Sequence, residues 1–318
     1  MTHVATLVAN PAIPALTGER LQLASEVLKC GLSRKQSPPR WLAQAVAADI
    51  VFEPEPAVSA RAVADRLRGA FNNAPIDVIV QRTQGRRKKL LLADMDSTMI
   101  GQECLDELAA EIGELAHIAA ITESAMRGDI AFEPALRERV ALLKGLDRAT
   151  ITRVIESKIA VTAGGRALVQ TMRAHGAHTV LVSGGFSVFT SVIGTRIGFH
   201  EHRANELLFG EDGRLSGFVA EPILGKDAKL AALEELREKH HLSAEETLAV
   251  GDGANDLAML EAAGLGIAFH AKPKVAAAAH ARIDHGDLTA LLYAQGYQSA
   301  EFVEDREEGE SAIKRSPP

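Results

Sequence analysis

The sequence predicts an α/β protein: a doubly wound parallel sheet with a helical cap, preceded by a smaller α+β unit. Short, mostly apolar runs at 90–93, 179–182, 247–250 and 265–269 alternate with helical stretches such as 165–175 and 227–239. Polar residues follow the first three runs. Runs that are apolar on both faces are typical of central strands in parallel sheets, and their alternation with helices predicts double winding.

Two insertions interrupt this alternation. Segment 103–162 is helical in pattern and too long for a crossover helix, so we expect a helical cap above the sheet. Segment 202–224 places Asp212-Gly213 between two apolar stretches, which predicts a β-hairpin. Segment 304–318 is charged and nearly free of large apolar residues, so a disordered tail is expected.

Residues 1–84 form the predicted N-terminal unit. Strand-like segments at 4–8, 41–46, 48–52 and 76–80 and helical segments at 18–28 and 59–71 give the order β-α-β-β-α-β, with Ser59 as the second N-cap. This order predicts one sheet with two helices on one face. A basic cluster, Arg86-Arg87-Lys88-Lys89, opens the second predicted part at 85–303 and is either a solvated linker or a binding patch.

Composition excludes several classes of protein. The chain has 318 residues, of which 47% are hydrophobic, which suits two folded domains rather than global disorder. A net charge of −7 argues against a nucleic-acid partner. We expect no disulfide framework from two distant cysteines, no signal peptide and no membrane span, and therefore a cytoplasmic protein.

The first candidate site follows the run at 90–93. Asp94 and Asp96 are two carboxylates that would repel each other unless a cation or a proton compensates them. A hard divalent ion with oxygen ligands fits, and Mg²⁺ is the usual partner of phosphate substrates. The alternative is an ordinary turn in which an Asp caps the next helix.

Further candidates follow the other runs. Ser183-Gly184-Gly185 could hold a phosphoryl oxygen through a hydroxyl and backbone amides, or could be a simple strand-to-helix turn. Asp252 could complete a metal site with Asp94, and Asp256 could support that site or hold Lys229. Lys229, at a predicted helix start, is otherwise a solvated surface residue. Because the carboxyl ends of parallel strands share one sheet edge, these groups should converge there.

Together these motifs resemble the haloacid dehalogenase superfamily, whose core is a Rossmann-like doubly wound sheet. The matching segments are Asp94-Met95-Asp96-Ser97-Thr98, Ser183, Lys229 and Gly251-Asp252-Gly253-Ala254-Asn255-Asp256. Within it, 122–128, Phe132, 136–144 and 182–186 resemble the phosphoserine phosphatase family. The similarity spans about 90–287 and does not extend convincingly through the N-terminal unit.

The resemblance implies a role for each matching residue. Asp94 would be the nucleophile, Asp96 the acid and base, and Ser183 and Lys229 the phosphoryl clamp. Mg²⁺ would be bound by the Asp94 side chain, the Asp96 carbonyl and Asp252, with Asp256 behind them. Glu103 would pair the ammonium of phosphoserine and Arg139 its carboxylate. The remaining implied substrate contacts are Met126, Phe132, Gly184, Gly185 and Asn255.

Other interpretations stay open. The same core could act on phosphohomoserine or phosphothreonine, or an inactive core could serve an amino-acid sensor. The N-terminal pattern resembles ACT-type domains, which implies an amino-acid effector and a homodimer; a unit that only packs or dimerises is the alternative. The expected partner is otherwise a small phosphate ester, with no nucleic acid and no membrane.

Overall fold

The fold was analysed in a computed structural model that describes residues 1–72, 74–127 and 129–303, without the side chains of Met126, Arg127 and Lys226. The predicted tail at 304–318 and Gly128 of the cap motif lie outside the described residues. Among the helices described, none is long and apolar enough to cross a membrane.

The N-terminal unit is an antiparallel sheet covered by two helices. Its elements are β1 (His3–Ala9), α1 (Gly18–Lys29), β2 (Ser33–Gln36), β3 (Arg40–Ala43), β4 (Ala47–Pro54), α2 (Ala60–Ala70) and β5 (Ile76–Arg82). The strand order is β2-β4-β1-β5, with β3 also paired to β4. Apolar side chains of both helices pack on one face of the sheet, including Leu21, Leu28, Val63 and Leu67.

Two details of this unit differ from the prediction. Strand β2 was not predicted, because its sequence Ser-Arg-Lys-Gln has no apolar alternation and none of its side chains is buried. The strand expected at 41–46 ends at Ala43, since Ala45 has a positive φ of 60° and the Val46 amide turns back to the Ala43 carbonyl. Ser59 caps α2 as predicted, accepting a hydrogen bond from the Ala62 amide.

The basic cluster is not simply a solvated linker, because Lys88 is buried and Arg86 largely so, whereas Arg87 and Lys89 stay exposed. Arg86 donates hydrogen bonds to Asp49 and Thr6 of the N-terminal sheet and to the carbonyls of Tyr293 and Ala294 in the core. Lys88 is buried, with Nζ 2.7 Å from the Glu245 carbonyl. Arg87 and Lys89 pair with Glu301 and Glu246. Every member therefore holds neighbouring segments of the chain together.

The second unit is built on a six-stranded sheet. Its first half comprises β6 (Leu90–Ala93), α3 (Cys104–Glu111), α4 (Leu115–Arg127), α5 (Phe132–Leu142), α6 (Arg148–Ser157), α7 (Gly165–Ala174), β7 (His178–Phe186), α8 (Ser187–Ile197) and β8 (Glu201–Asn205). Its second half comprises β9 (Leu207–Phe209), β10 (Leu215–Val219), α9 (Lys226–Lys239), β11 (Thr247–Gly251), α10 (Leu257–Ala262), β12 (Leu265–Phe269), α11 (Pro273–Ala278), β13 (Ala281–Ile283) and α12 (Ala290–Ala294).

The sheet order is β13-β12-β11-β6-β7-β8, and every pairing is parallel. The predicted doubly wound parallel sheet is confirmed, with β6 and β11 at the point where the strand order reverses. In open α/β sheets ligands bind at that point, outside the carboxyl ends of the strands. The sequence did not reveal the edge strands β8 and β13, and β7 runs on through Ser183-Gly184-Gly185 instead of ending before it.

The insertions lie beside this edge. Segment 104–157 consists of the four helices α3 to α6, and β9 pairs with β10 antiparallel, as the Asp-Gly signal predicts. The hairpin packs on α5: a Cβ placed on Gly217 would lie 3.1 Å from the Cβ of Lys144, just after that helix. The hairpin therefore links the cap to the strand edge.

Candidate active site

Asp94 stands at the centre of the site. It follows β6 directly, and its amide donates to the Val250 carbonyl at 3.0 Å, which ties the end of β6 to β11. The chain then makes a tight loop over 95–99, in which Ser97 has a φ of 55°. The Ile100 amide closes this loop on the Met95 carbonyl. The loop presents a buried Asp94 side chain at the strand edge.

Lys229 compensates two carboxylates at once. Its Nζ lies 2.5 Å from Asp94 Oδ1 and 2.6 Å from Asp256 Oδ1, and all three residues are buried. Burial opposes the charge of the ammonium, but the two carboxylates outweigh it and raise the pKa of Lys229. Burial and then the charge of Asp256 raise the pKa of Asp94 well above its usual value, against the pull of Lys229. Lys229 is therefore not the solvated surface residue of the alternative reading.

Asp96 and Ser183 form a second hydrogen-bonded pair of the site. The Ser183 hydroxyl donates to Asp96 Oδ2 at 3.2 Å and accepts from the Gly185 amide at 2.8 Å. Asp96 Oδ1 accepts from the Cys104 amide at 2.8 Å, at the start of the cap. A Cβ on Gly185 would lie 3.0 Å from both Asp96 Oδ2 and Ser183 Oγ. Glycine is therefore the residue that leaves this contact undisturbed.

The same edge carries an acidic cluster suited to a metal ion. One carboxylate oxygen from each of Asp94, Asp252 and Asp256 lies within 4.8 Å of the others. Asp256 is already engaged, with Oδ1 on Lys229 and Oδ2 accepting from the Gly253 amide at 3.0 Å. Asp94 and Asp252 then keep the most ligand capacity, and hard carboxylate oxygens match Mg²⁺. Burial and the charge of Asp256 raise the pKa of Asp252, which a cation would reverse.

Glu103 and Arg139 lie at the cap entrance. Glu103 accepts a hydrogen bond from the Ser97 hydroxyl at 2.7 Å. Arg139 donates to the Ala135 carbonyl at 3.1 Å and to the Thr122 hydroxyl at 3.3 Å. Burial of the carboxyl and the charge of Asp96 raise the pKa of Glu103 to about 7, although the residue as a whole is exposed and water moderates the shift.

The remaining predicted contacts are only partly gathered here. The Phe132 ring lies against the backbone of Gly184 and Gly225, because a Cβ at either glycine would be 3.7 Å from it. Asn255 is exposed on the short turn at 254–256. The Met126 side chain is outside the described residues.

Two polar residues at this edge were missed from the sequence as parts of the site. The Thr98 hydroxyl, fully buried, points to Asp252 Oδ1 at 3.4 Å. Asn205, also buried, hydrogen-bonds the Gly184 carbonyl. The only available signal for Asn205 was a polar residue at the end of a strand, and that strand, β8, had not been predicted.

Comparisons with known proteins match this geometry. Residues 91–261 match the family of haloacid dehalogenase-like hydrolases. A protein of Schizosaccharomyces pombe named probable phosphoserine phosphatase is 43% identical over 228 residues, which are 71% of this chain and 76% of that protein.

Solved structures agree. An unliganded probable phosphoserine phosphatase from Vibrio cholerae has a TM-score of 0.75 at 27% identity, over 94% of this chain and 88% of that one. A phosphoserine phosphatase solved as a phospho-aspartyl intermediate analogue has a TM-score of 0.60 at 38% identity, over 65% of this chain and 98% of that one. The chain therefore belongs to the haloacid dehalogenase-like hydrolases, alongside relatives named phosphoserine phosphatases.

Proposed function

We propose that this chain hydrolyses O-phospho-L-serine to L-serine and inorganic phosphate, the last step of serine synthesis, through an aspartyl phosphate on Asp94. The observation that carries the proposal is the contact of a buried Asp94 with Lys229, together with the hydrogen-bonded Asp96–Ser183 pair. The family membership and the names of the relatives support the same reaction class and substrate.

The reaction proceeds in two displacements at phosphorus. An Asp94 carboxylate oxygen attacks, the bond between phosphorus and the serine oxygen breaks, and an acyl phosphate forms. Asp96 gives its proton to the departing serine oxygen. Asp96 then takes a proton from the water that attacks the acyl phosphate, which regenerates Asp94 and releases phosphate. Its position beside Ser183, 3.2 Å from the hydroxyl, supports this role.

Charge on the phosphoryl group is held by groups that are already in place. Lys229 and the Ser183 hydroxyl bind its oxygens, assisted by the backbone of Gly184 and Gly185 and by Asn255. Such donors act best where water is excluded and where they need no rearrangement. The buried ammonium of Lys229 meets both conditions. The Ser183 oxygen is fixed by the Gly185 amide, and only its hydrogen has to turn from Asp96 to the phosphoryl group.

Asp94, Asp252 and the Asp96 main-chain carbonyl hold Mg²⁺ in this proposal, and Asp256 supports them through Lys229. When bound, the ion neutralises charge on the phosphoryl group. Without it, Lys229 is the cation in contact with Asp94 and Asp256. Thr98, 3.4 Å from Asp252, orients that carboxylate.

Substrate choice is made at the cap. The Glu103 carboxylate pairs with the substrate ammonium, and the Arg139 guanidinium clamps its carboxylate in a bidentate manner. Phe132, whose ring lies against Gly184 and Gly225, supplies the apolar wall in this proposal. Met126 is the second expected member of that wall, and its side chain lies outside the described residues. Arg139 spends its hydrogen bonds on a helix carbonyl and a threonine hydroxyl, both of which a carboxylate outcompetes.

The decisive experiment is a phosphate-release assay across phosphoserine, phosphothreonine and phosphohomoserine, with and without Mg²⁺. We expect the highest kcat/KM for phosphoserine and a requirement for the ion. A preference for the bulkier esters would make the chain a phosphatase of another small ester. Asp94→Asn should abolish turnover, and near wild-type activity in that variant would rule out the covalent route. If the wild type turns over none of these esters, the alternative of an amino-acid sensor with an inactive core is favoured.

The N-terminal unit at 1–84 is an ACT-like domain in this proposal, ahead of a phosphatase domain at 85–303. The antiparallel order β2-β4-β1-β5 with two helices on one face supports it. An amino-acid effector such as serine and a homodimer follow from that likeness, in a cytoplasmic enzyme. Titrating serine into the full-length enzyme and measuring its mass in solution would test both; a flat inhibition curve would remove the effector.

A further inference from the structure

Asn205 joins two active-site segments that are distant in the sequence, the end of β7 and the residues just before α9. Its Nδ2 donates to the Gly184 carbonyl at 2.9 Å and to the Leu224 carbonyl at 3.3 Å, while its Oδ1 accepts from the Leu224 amide at 2.7 Å. The residue is 2% exposed at the end of β8. The orientation of the Asn205 amide is fixed, because the Leu224 N–H faces its oxygen and the carbonyls of Gly184 and Leu224 face its nitrogen.

Each of these two segments lies next to one member of the phosphoryl clamp, Ser183 or Lys229. Gly184 lies between Ser183 and Gly185, whose hydroxyl and amide are hydrogen-bonded to each other. Leu224 precedes Gly225, the residue at the N-terminus of α9, which carries Lys229. The Asn205 side chain therefore sets the separation between the backbone beside Ser183 and the start of the Lys229 helix.

The same two segments contact the cap. The Phe132 ring of α5 rests on the backbone of Gly184 and of Gly225, at 3.7 Å from a Cβ built on either. A shift of one segment relative to the other would thus disturb both the phosphoryl clamp and the packing of Phe132. Because buried amides without partners are costly, the three hydrogen bonds resist such a shift.

We infer that Asn205 is a positioning residue, which holds the Ser183–Gly185 end of β7 and the Lys229 helix at the separation that phosphoryl transfer needs. It touches neither substrate nor metal and acts through Gly184 and Leu224. The inference rests on the proposed function. Only an amide supplies both a donor for two carbonyls and an acceptor for one N–H at this place.

The test compares Asn205→Asp and Asn205→Ala with wild type in phosphoserine turnover at saturating Mg²⁺. We expect kcat to fall about 10- to 100-fold, as for small displacements of catalytic groups, with a smaller change in KM. The Ki of inorganic phosphate should rise in parallel, and amide exchange at Leu224 should accelerate. Asn10→Asp is the matched control, because Asn10 bonds the His285 carbonyl at the domain boundary and should leave kcat unchanged.

The pH dependence separates positioning from loss of fold. In Asn205→Asp the introduced carboxylate faces two carbonyl oxygens, and protonation restores a donor. The ratio of variant to wild-type kcat should therefore rise as the pH falls, whereas Asn10→Asp should show a flat ratio. Folded variants with wild-type kcat and phosphate Ki, or a ratio independent of pH, would overturn the inference. An inactive wild type would instead refute the proposed function.

Discussion

Lys229 Nζ lies 2.5 Å from Asp94 Oδ1 and 2.6 Å from Asp256 Oδ1. One buried cation thus faces two buried carboxylates, with Asp252 nearby. The cluster keeps an excess of negative charge, which the desolvated site can offset only by protonation or by a second cation. Burial and then the charge of Asp256 raise the pKa of Asp94, and the remaining excess of negative charge makes the edge suitable for a divalent ion.

Replacing Lys229 by Met should remove activity and stability together. We expect at least about a 10²-fold loss of kcat, since a phosphoryl-binding charge is lost. Leaving Asp94 and Asp256 without their cation should cost on the order of 3–5 kcal/mol of unfolding free energy. Urea unfolding and phosphate release measure the two effects. Lys239→Met, in the exposed last turn of the same helix, is the control, and equal behaviour of the two variants would contradict the assignment.

Asp252→Asn should weaken metal binding more than folding. The substitution removes a carboxylate from the acidic cluster, so the Mg²⁺ concentration for half-maximal activity should rise about 10- to 100-fold. Titration calorimetry with Mg²⁺ alone provides a second readout that does not depend on turnover. Asp212→Asn, on the exposed hairpin turn, should bind Mg²⁺ like wild type. Unchanged affinity in Asp252→Asn would place the ion elsewhere.

The sequence carried the central sheet and its polar strand ends, because buried parallel strands are apolar on both faces and leave a distinct pattern. It could not reveal β2 and β8, whose residues are mostly polar, or β13, which has only three residues. Asn205 was lost with β8. The Thr98 contact to Asp252 joins positions far apart in the chain, which no local pattern encodes.

The domain boundary shows the same limit. The Arg86–Lys89 segment has the composition of a linker, but its partners Asp49, Glu245, Glu246 and Glu301 are set by tertiary structure. Propensity and charge pattern describe single segments, so they cannot predict which segments the folded chain brings together.

Gly185→Ala should lower activity with little loss of fold. The new methyl group would lie 3.0 Å from both Asp96 Oδ2 and Ser183 Oγ, so the pair must separate by a few tenths of an ångström. Such misplacement can cost up to about 10²-fold in kcat. Gly69→Ala in α2 is the matched control, because nothing lies within 4 Å of its added methyl group. Steady-state kinetics with full wild-type kcat in Gly185→Ala would show that the contact tolerates displacement.

Asp77→Ala should loosen the contact between the two units. This buried carboxylate accepts from the amides of Asp284 and Gly286 at 2.7 Å each, and from the His285 amide at 3.3 Å. Removing it leaves these amides without their acceptor, at about 1–3 kcal/mol for each group that stays dry. Chemical unfolding should therefore show a clear loss of stability. Asp65→Ala, an exposed acid on α2, should stay within about 0.5 kcal/mol of wild type; a similar result for Asp77→Ala would mean that water replaces the acceptor.

Glu103 should give the enzyme a pH dependence near neutrality. Burial of the carboxyl raises the pKa of Glu103 to about 7, so the carboxylate proposed to pair the substrate ammonium forms only as the pH rises through that range. We expect kcat/KM for phosphoserine to increase over this range, since this ratio reports the free enzyme. The raised pKa also means that the folded state favours the protonated form of Glu103. Its contribution to the free energy of unfolding is therefore complete below pH 4.5 and is lost as the pH rises through about 7. Glu103→Gln should flatten the kcat/KM profile. The phosphate group of the substrate titrates in the same range, with a pKa of ~6. The quantity to measure is therefore the ratio of wild-type to variant kcat/KM at each pH. A constant ratio would exclude Glu103 as the ammonium partner.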